Sequence, residues 1–316
     1  MNSKLRLPQT SLITALGVLL CLITTYVPTL SIFSIFLPVP YAIIGTLTDN
    51  KNSILSLIAT FFILIFTINP LYSLSVCIIS IVPGIFIGSA IRNNKEENKF
   101  KPIYIGTIAS IISIIVFFFI SNIVFKTNIL NDFINVLKET LTLQVSVMQK
   151  AGIGLKEGFN VSNIVSYITN ILPTILFMQG MLVAFIVYGL EVFILRRIKI
   201  VNLSLPKFRD FNLPGNAVSI FFILYLLTLF VDSIKLDYLH TDLIMLNLQL
   251  IFNFMFIIQG IAVSIYYLKK WARSGSLKMV FISLLILSIF GFTTVCFVGM
   301  LDSIIDFRRI RSYKST

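Results

Sequence analysis

Residues 103–125 read IYIGTIASIISIIVFFFISNIVF, 23 positions without a charged side chain. At 1.5 Å per residue a helix of this length runs roughly 35 Å, enough to cross a hydrocarbon core about 30 Å thick. Working outward from this run, further apolar blocks separated by polar breaks fall at about 11–29, 32–48, 53–69, 71–91, 168–195, 216–232, 243–268 and 279–301. Each is long enough to span with some tilt. The second block is interrupted by Pro38 and Pro40. A broken helix at that depth is tolerated only where it is buried in protein or lines a cavity.

The whole chain follows the same reading. Of 316 residues 57% are hydrophobic and 12% charged, and the mean hydropathy is +0.96. A soluble domain averages about 45–50% apolar and about 25% charged. A soluble enzyme, a secreted disulfide scaffold and a disordered chain are therefore excluded. The sequence predicts an all-α fold, a polytopic transmembrane helical bundle of eight or nine spans.

Lys and Arg exceed Asp and Glu by 12, yet the bases sit in short loops between apolar blocks. That is the distribution of the positive-inside rule, and no basic stripe with interleaved aromatics suggests nucleic acid. With the N-terminus cytoplasmic, inner loops hold 16 Lys and Arg and outer loops 5. With nine spans Arg308, Arg309, Arg311 and Lys314 fall outside, so either one block does not cross or the tail lies at the interface. Lys4 and Arg6 before the first block resemble a signal peptide, but no A-x-A-like cleavage site follows, so the segment is expected to stay as the first span.

The long hydrophilic excursion at 126–163 is placed on the outer side. Leu130, Phe133, Leu137, Leu141 and Val145 recur at spacings of three and four, opposite Asp132, Asn135, Glu139 and Gln144. This predicts an amphipathic helix on the membrane or over the bundle, passive or acting as a lid. Gly152, Gly154 and Gly158 after it would let it hinge.

Candidate chemistry is sparse. Cys21, Cys77 and Cys296 lie far apart inside apolar segments, with no CxxC or Cys/His cluster, so no metal site is expected. His240 reads as a solvated loop residue. Phosphate-loop, zinc-protease and nucleophile-elbow motifs are absent, so no catalytic residue and no cofactor is assigned, and the chain is read as a non-enzyme. Glu191 is the ionisable residue well inside a block, and its expected partners are Arg196 and Arg197 at the same helix end.

Uncharged polarity remains. Gln249 and Asn253 share a helix face, and Asn170 and Gln179 interrupt the sixth block. Such amides either hydrogen-bond between helices or face a polar cavity. Asn69, Tyr72 and the 28–36 loop join Asn170 as candidates for an outward-facing ligand site. Gly84-x-x-x-Gly88 forms a small-residue face that lets helices approach closely, for internal packing or for a partner. Ser11-x-x-x-Ala15 and Gly180-x-x-x-Ala184 repeat it more weakly.

Two resemblances follow from these residues. Gln259-Gly260-Ile261-Ala262 running into Tyr266-Tyr267, then Gly299-x-x-Asp302-x-x-x-Asp306-Phe307-Arg308, resemble the recurring marks of the YybS-like bacterial membrane proteins. Asp302, Asp306, Arg308 and Arg309 read locally as a salt-bridged helix cap. The first 200 residues, with six blocks, both ends on the basic side and a short second span, are similar to the S component of energy-coupling-factor transporters. That resemblance implies a small-solute site near the outer surface and a first-span face that docks a coupling membrane protein, with partner ATPases supplying energy. The domain reading is residues 1–200 as a six-span core and 201–316 as a C-terminal membrane region of two or three spans with a basic tail. The expected place is the bacterial cell membrane. A membrane scaffold in envelope assembly or regulation is the other reading.

Overall fold

The computed structural model describes residues 7–93, 99–152, 160–199, 205–213, 216–234, 240–271 and 276–309. Among these the regular structure is helical throughout. Helix α1 covers Leu7–Tyr26. A 3-10 segment, Pro28–Phe36, leads into α2 (Pro38–Leu47), and α3 is Asn50–Thr67. A span built of α4 (Pro70–Ser75), a π-helical segment (Val76–Ile81) and α5 (Val82–Asn93) follows, then α6 (Lys101–Phe125) and α7 (Ile129–Lys150). The remaining helices are α8 (Val161–Asn170), α9 (Leu172–Arg197), α10 (Ala217–Ser233), α11 (Thr241–Trp271) and α12 (Ser276–Ile305). Among the described residues seven spans are long and apolar enough to cross a membrane, and the segments Ala217–Ser233 and Gly291–Ile305 are shorter apolar helices.

The helices wear their polarity inward. The buried residues of α1 include Thr10, Thr14, Gly17 and Thr24, and those of α3 include Ser53, Ser56 and Thr60. Their large apolar neighbours, among them Leu12, Leu16, Phe62 and Phe66, are exposed. A water-soluble helix does the reverse. Small and hydroxylic residues inside with Leu, Ile and Phe outside is the arrangement lipid favours, because tails solvate the large side chains and close packing holds the helices together. Thr14 Oγ1 bonds back to the Thr10 carbonyl of its own helix (2.9 Å), and Thr60 Oγ1 does the same to the Ser56 carbonyl (2.8 Å).

Prolines explain both broken spans. Pro38 and Pro40 fall in the first turn of α2, where the missing N–H groups would have no intrahelical partner anyway. The stretch before them, read as a loop from sequence, is a nine-residue 3-10 turn with no buried residue. In the fourth span Pro83 cannot donate to Ile79 and its ring crowds that carbonyl, and the helix widens into the π segment just ahead of it.

The chain divides into two compact units. The first is Met1–Thr169 with Ile175–Leu205. Its apolar core gathers Val18 and Cys21 from α1, Tyr41 and Ile44 from α2, Leu64 from α3 and Cys77 and Ile81 from the π segment. The Tyr41 ring lies on Gly17, where a Cβ would come within 2.8 Å, and its hydroxyl bonds with Thr60 Oγ1 at 2.8 Å. Helices α2 and α5 cross with backbones touching: a Cβ on Gly88 would stand 2.0 Å from the Ala42 carbonyl oxygen, and one on Gly84 2.5 Å from that of Pro38. The weaker motif of α9 packs on α6, Gly180 against Ser110 and Ala184 against Gly106.

The second unit is Asn170–Thr174 with Pro206–Thr316. Its centre is the crossing of α11 and α12, where a Cβ on Gly299 would lie 1.9 Å from the Phe256 carbonyl oxygen and one on Gly260 2.0 Å from that of Val295. Helix α12 is interrupted at Gly291, whose φ of 72° suits glycine. Phe221, Phe252 and Phe256 stack beside the crossing, with ring centroids 4.7–6.4 Å apart.

The expected amphipathic helix in the 126–163 excursion is α7, which buries none of its side chains in the protein. Gly152 follows with a φ of 74°. Gly154 and Gly158 lie outside the described residues, as do Arg311 and Lys314 of the tail. His240 is exposed just before α11.

Candidate functional site

Each unit encloses a polar cluster beside its closest backbone crossing. In the first unit Glu191, on α9, is fully buried. It does not turn to Arg196 and Arg197, which are exposed. That corrects the local pairing expected from sequence. A helix of 3.6 residues per turn carries positions five and six ahead away from Glu191. Its Oε1 instead bonds with Thr46 Oγ1 of α2, 145 positions earlier. Thr46 Oγ1 also lies 3.0 Å from the Gly88 carbonyl oxygen of α5. Glu191 Oε2 has no hydrogen-bond partner among the described residues. Gly88 makes the junction possible, since a Cβ there would hold α2 away.

In the second unit Asp302 Oδ2 accepts three bonds, from Gln259 Nε2 (2.9 Å), Arg308 Nη2 (2.8 Å) and Arg308 Nε (3.2 Å). Gln259 Oε1 accepts from the Leu213 backbone N–H at 2.7 Å. Arg308 also donates to the carbonyls of Arg209 (2.6 Å) and Phe211 (2.7 Å). The chain can fold Arg308 back because Asp306, with φ 51°, takes the left-handed conformation that ends α12. The sequence suggests a local cap from these residues. The structure extends it into a tertiary clasp that binds α11, α12 and the 209–213 segment.

The proposed ligand residues are placed as follows. Asn69 caps α4, its Oδ1 accepting from the Tyr72 backbone N–H at 3.0 Å. Tyr72 Oη accepts from Thr25 Oγ1 at 2.7 Å, and nearby Tyr26 Oη donates to the Thr67 carbonyl. Gln179 and Gln249 are exposed and Asn170 is half-buried. Asn253 Oδ1 stands 3.7 Å from Cys296 Sγ. Two hollows in the first unit, of about 240 and 280 Å³, are lined by none of these six. The larger opens between α3 and α5, past Asn50, Ser53 and Ser89 into Leu57 and Phe86. The smaller lies between α1 and α3 and takes in Ser11 and Ala15. Gly84 and Gly88, open to either role in the sequence, serve internal packing.

Sequence reasoning passed over three polar residues. Thr46 is one. The others are Asn247 and Thr174, both buried. Asn247 Oδ1 accepts from Thr174 Oγ1 (2.7 Å) and from the Thr174 backbone N–H (3.1 Å), while its Nδ2 donates to the Asn170 carbonyl (2.7 Å). Asn247 lies one turn before residue 251 on the same apolar helix as Gln249 and could have been singled out by the same rule.

The groups of His, Cys, Asp and Glu among the described residues include none of three or more that could hold a metal ion. No solved structure matches the chain. The uncharacterized protein YybS of Bacillus subtilis (strain 168) is 24% identical over 277 residues, covering 85% of this chain and 86% of that protein. The model of the predicted membrane protein family DUF2232 matches residues 15–303, a stretch that includes the Gln259, Gly260, Gly299 and Asp302 constellation, and on that match the chain belongs to the DUF2232 family of multi-pass membrane proteins.

Proposed function

We propose that the chain is a non-enzymatic subunit of a bacterial plasma-membrane transporter, binding a small solute from the outer side and driven by partner ATPases through a coupling membrane protein. The observation that carries this reading is the hollow between α1 and α3. On most of its outward surface the first unit presents Leu, Ile and Phe to lipid. Here Thr10, Ser11, Ala15, Ser56 and Ala59 share with Leu7, Leu55 and Ile63 the lining of about 240 Å³ of space, and the buried Ser56 Oγ has no hydrogen-bond partner among the described residues. A concave face in which small and hydroxylic residues interrupt the large apolar ones suits a second helix at close range better than an acyl chain. The occupant we assign is a transmembrane helix of the coupling protein.

The polar group of Thr25, Tyr26, Asn69 and Tyr72 lies at the other end of α1 from this hollow. With the N-terminus cytoplasmic it faces outward, where a solute would enter. The test is affinity purification of the full chain from its native membrane in mild detergent, with co-purifying proteins identified by mass spectrometry. Recovery of an ATPase pair and a coupling membrane protein is the expected result. Recovery of envelope or signalling proteins without ATPases would overturn it in favour of a scaffold.

A further inference from the structure

The junction of Thr46, Gly88 and Glu191 contains more acceptors than its one obvious hydrogen can serve. Thr46 Oγ1 carries a single proton. It lies 3.0 Å from the Gly88 carbonyl oxygen, which can only accept, and within hydrogen-bond distance of Glu191 Oε1. An ionised carboxylate also only accepts. If the hydroxyl donates to Glu191, it faces the Gly88 carbonyl with a lone pair. If it donates to Gly88, a carboxylate faces a lone pair. One arrangement satisfies both contacts, with a neutral Glu191 Oε1–H donating to Thr46 Oγ1 and Thr46 Oγ1–H donating to the Gly88 carbonyl.

Among the described residues the surroundings supply no counter-charge. On α9 the titratable neighbour one turn away is Tyr188, also buried. On α5 the nearest base, Arg92, donates to the Thr48 carbonyl and Asn50 Oδ1. α2 brings Thr46 and no charged residue. Lys99 and Lys101 at the start of α6 are exposed, as are Arg196 and Arg197. An isolated charge taken fully out of water is costly, and ionisable residues kept in membrane interiors mark ion and proton pathways.

We propose that Glu191, Thr46 and the Gly88 carbonyl form a proton-binding site in the membrane interior, where the proton closes a hydrogen-bond chain across α9, α2 and α5. The two elements it joins to α9 belong to the spans that the prolines interrupt, which places the proton where the backbone has alternatives to a regular ladder. This inference does not depend on the solute-binding reading.

Infrared spectroscopy of the full chain in lipid nanodiscs tests it. At neutral pH the wild-type protein should show the carbonyl stretch of a neutral carboxyl, moving in heavy water as an exchangeable O–H requires. Glu191→Gln should lose that band while folding as the wild type does, because the amide keeps the neutral shape and a donor toward Thr46. Thr46→Val should keep the band but displace it to higher frequency, since the acceptor is gone. Identical spectra for wild type and folded Glu191→Gln would overturn the proposal. So would a Glu191→Gln chain that cannot fold, because a neutral site tolerates a neutral isostere.

Discussion

Arg308 closes on a single oxygen of Asp302, with Nη2 at 2.8 Å and Nε at 3.2 Å from Oδ2, and both side chains are buried. The guanidinium also spans two backbone carbonyls, of Arg209 and Phe211. Removing one partner of a buried pair leaves an uncompensated charge and costs about 3–5 kcal/mol. Arg308→Met should therefore lower the thermal midpoint in detergent sharply. Arg308→Lys should recover only part, because a point charge cannot reach the carbonyls and the carboxylate together. Combining Arg308→Met with Asp302→Leu should be milder than Arg308→Met alone, and a double-mutant cycle measures the difference.

Glycines on the two faces of helices should behave oppositely. Gly299→Ala adds a methyl where the Phe256 carbonyl oxygen already stands 1.9 Å away, and overpacking of this kind costs roughly 1–3 kcal/mol. Gly189→Ala meets nothing within 4 Å and relieves a helix of its most flexible residue, a gain of about 0.5–1 kcal/mol. Thermal scanning of both variants should show one midpoint fall and the other hold or rise.

Small residues at the two faces of the first unit separate fold from assembly. Gly88→Leu would drive a side chain into the Ala42 carbonyl, and the expected outcome is aggregated protein on size-exclusion chromatography. Ser11→Leu with Ala15→Leu alters exposed positions. That pair should run as the wild type does while losing the coupling protein that the proposed function expects to co-purify. Unchanged co-purification would remove the hollow as its seat.

Asn247 and Gln249 are two positions apart on α11 and face different surroundings. Asn247→Ala strands the Thr174 N–H and the Asn170 carbonyl, and an unsatisfied buried polar group costs about 1–3 kcal/mol. Gln249→Leu, at an exposed position, should leave the unfolding free energy within about 0.5 kcal/mol of wild type.

The spans were legible because lipid imposes length and apolarity on each segment separately, so the run at 103–125 announces α6 without reference to the rest. The same holds for Asp302 and Arg308, whose pairing is decided within one helix end. Glu191 was misread because its partner is fixed by how α2, α5 and α9 come together, and nothing in its neighbourhood signals a hydroxyl 145 positions earlier. The break between α8 and α9 was hidden inside one apolar block, since Asn170 and Pro173 interrupt hydropathy too briefly to divide it. Gly84 and Gly88 were legible as a contact face but not as to what touches them.

The segment Asn170–Thr174 carries a consequence for engineering. It is flanked on both sides by sequence of the first unit yet belongs to the second, where Asn247 holds it by main chain and side chain. The polypeptide therefore passes from one unit to the other and back before leaving for good, and no single cut separates them. A gene divided near codon 200 would put Asn247 on one product and Asn170 and Thr174, to which it is hydrogen-bonded, on the other. Two such halves would have to be made together to be whole.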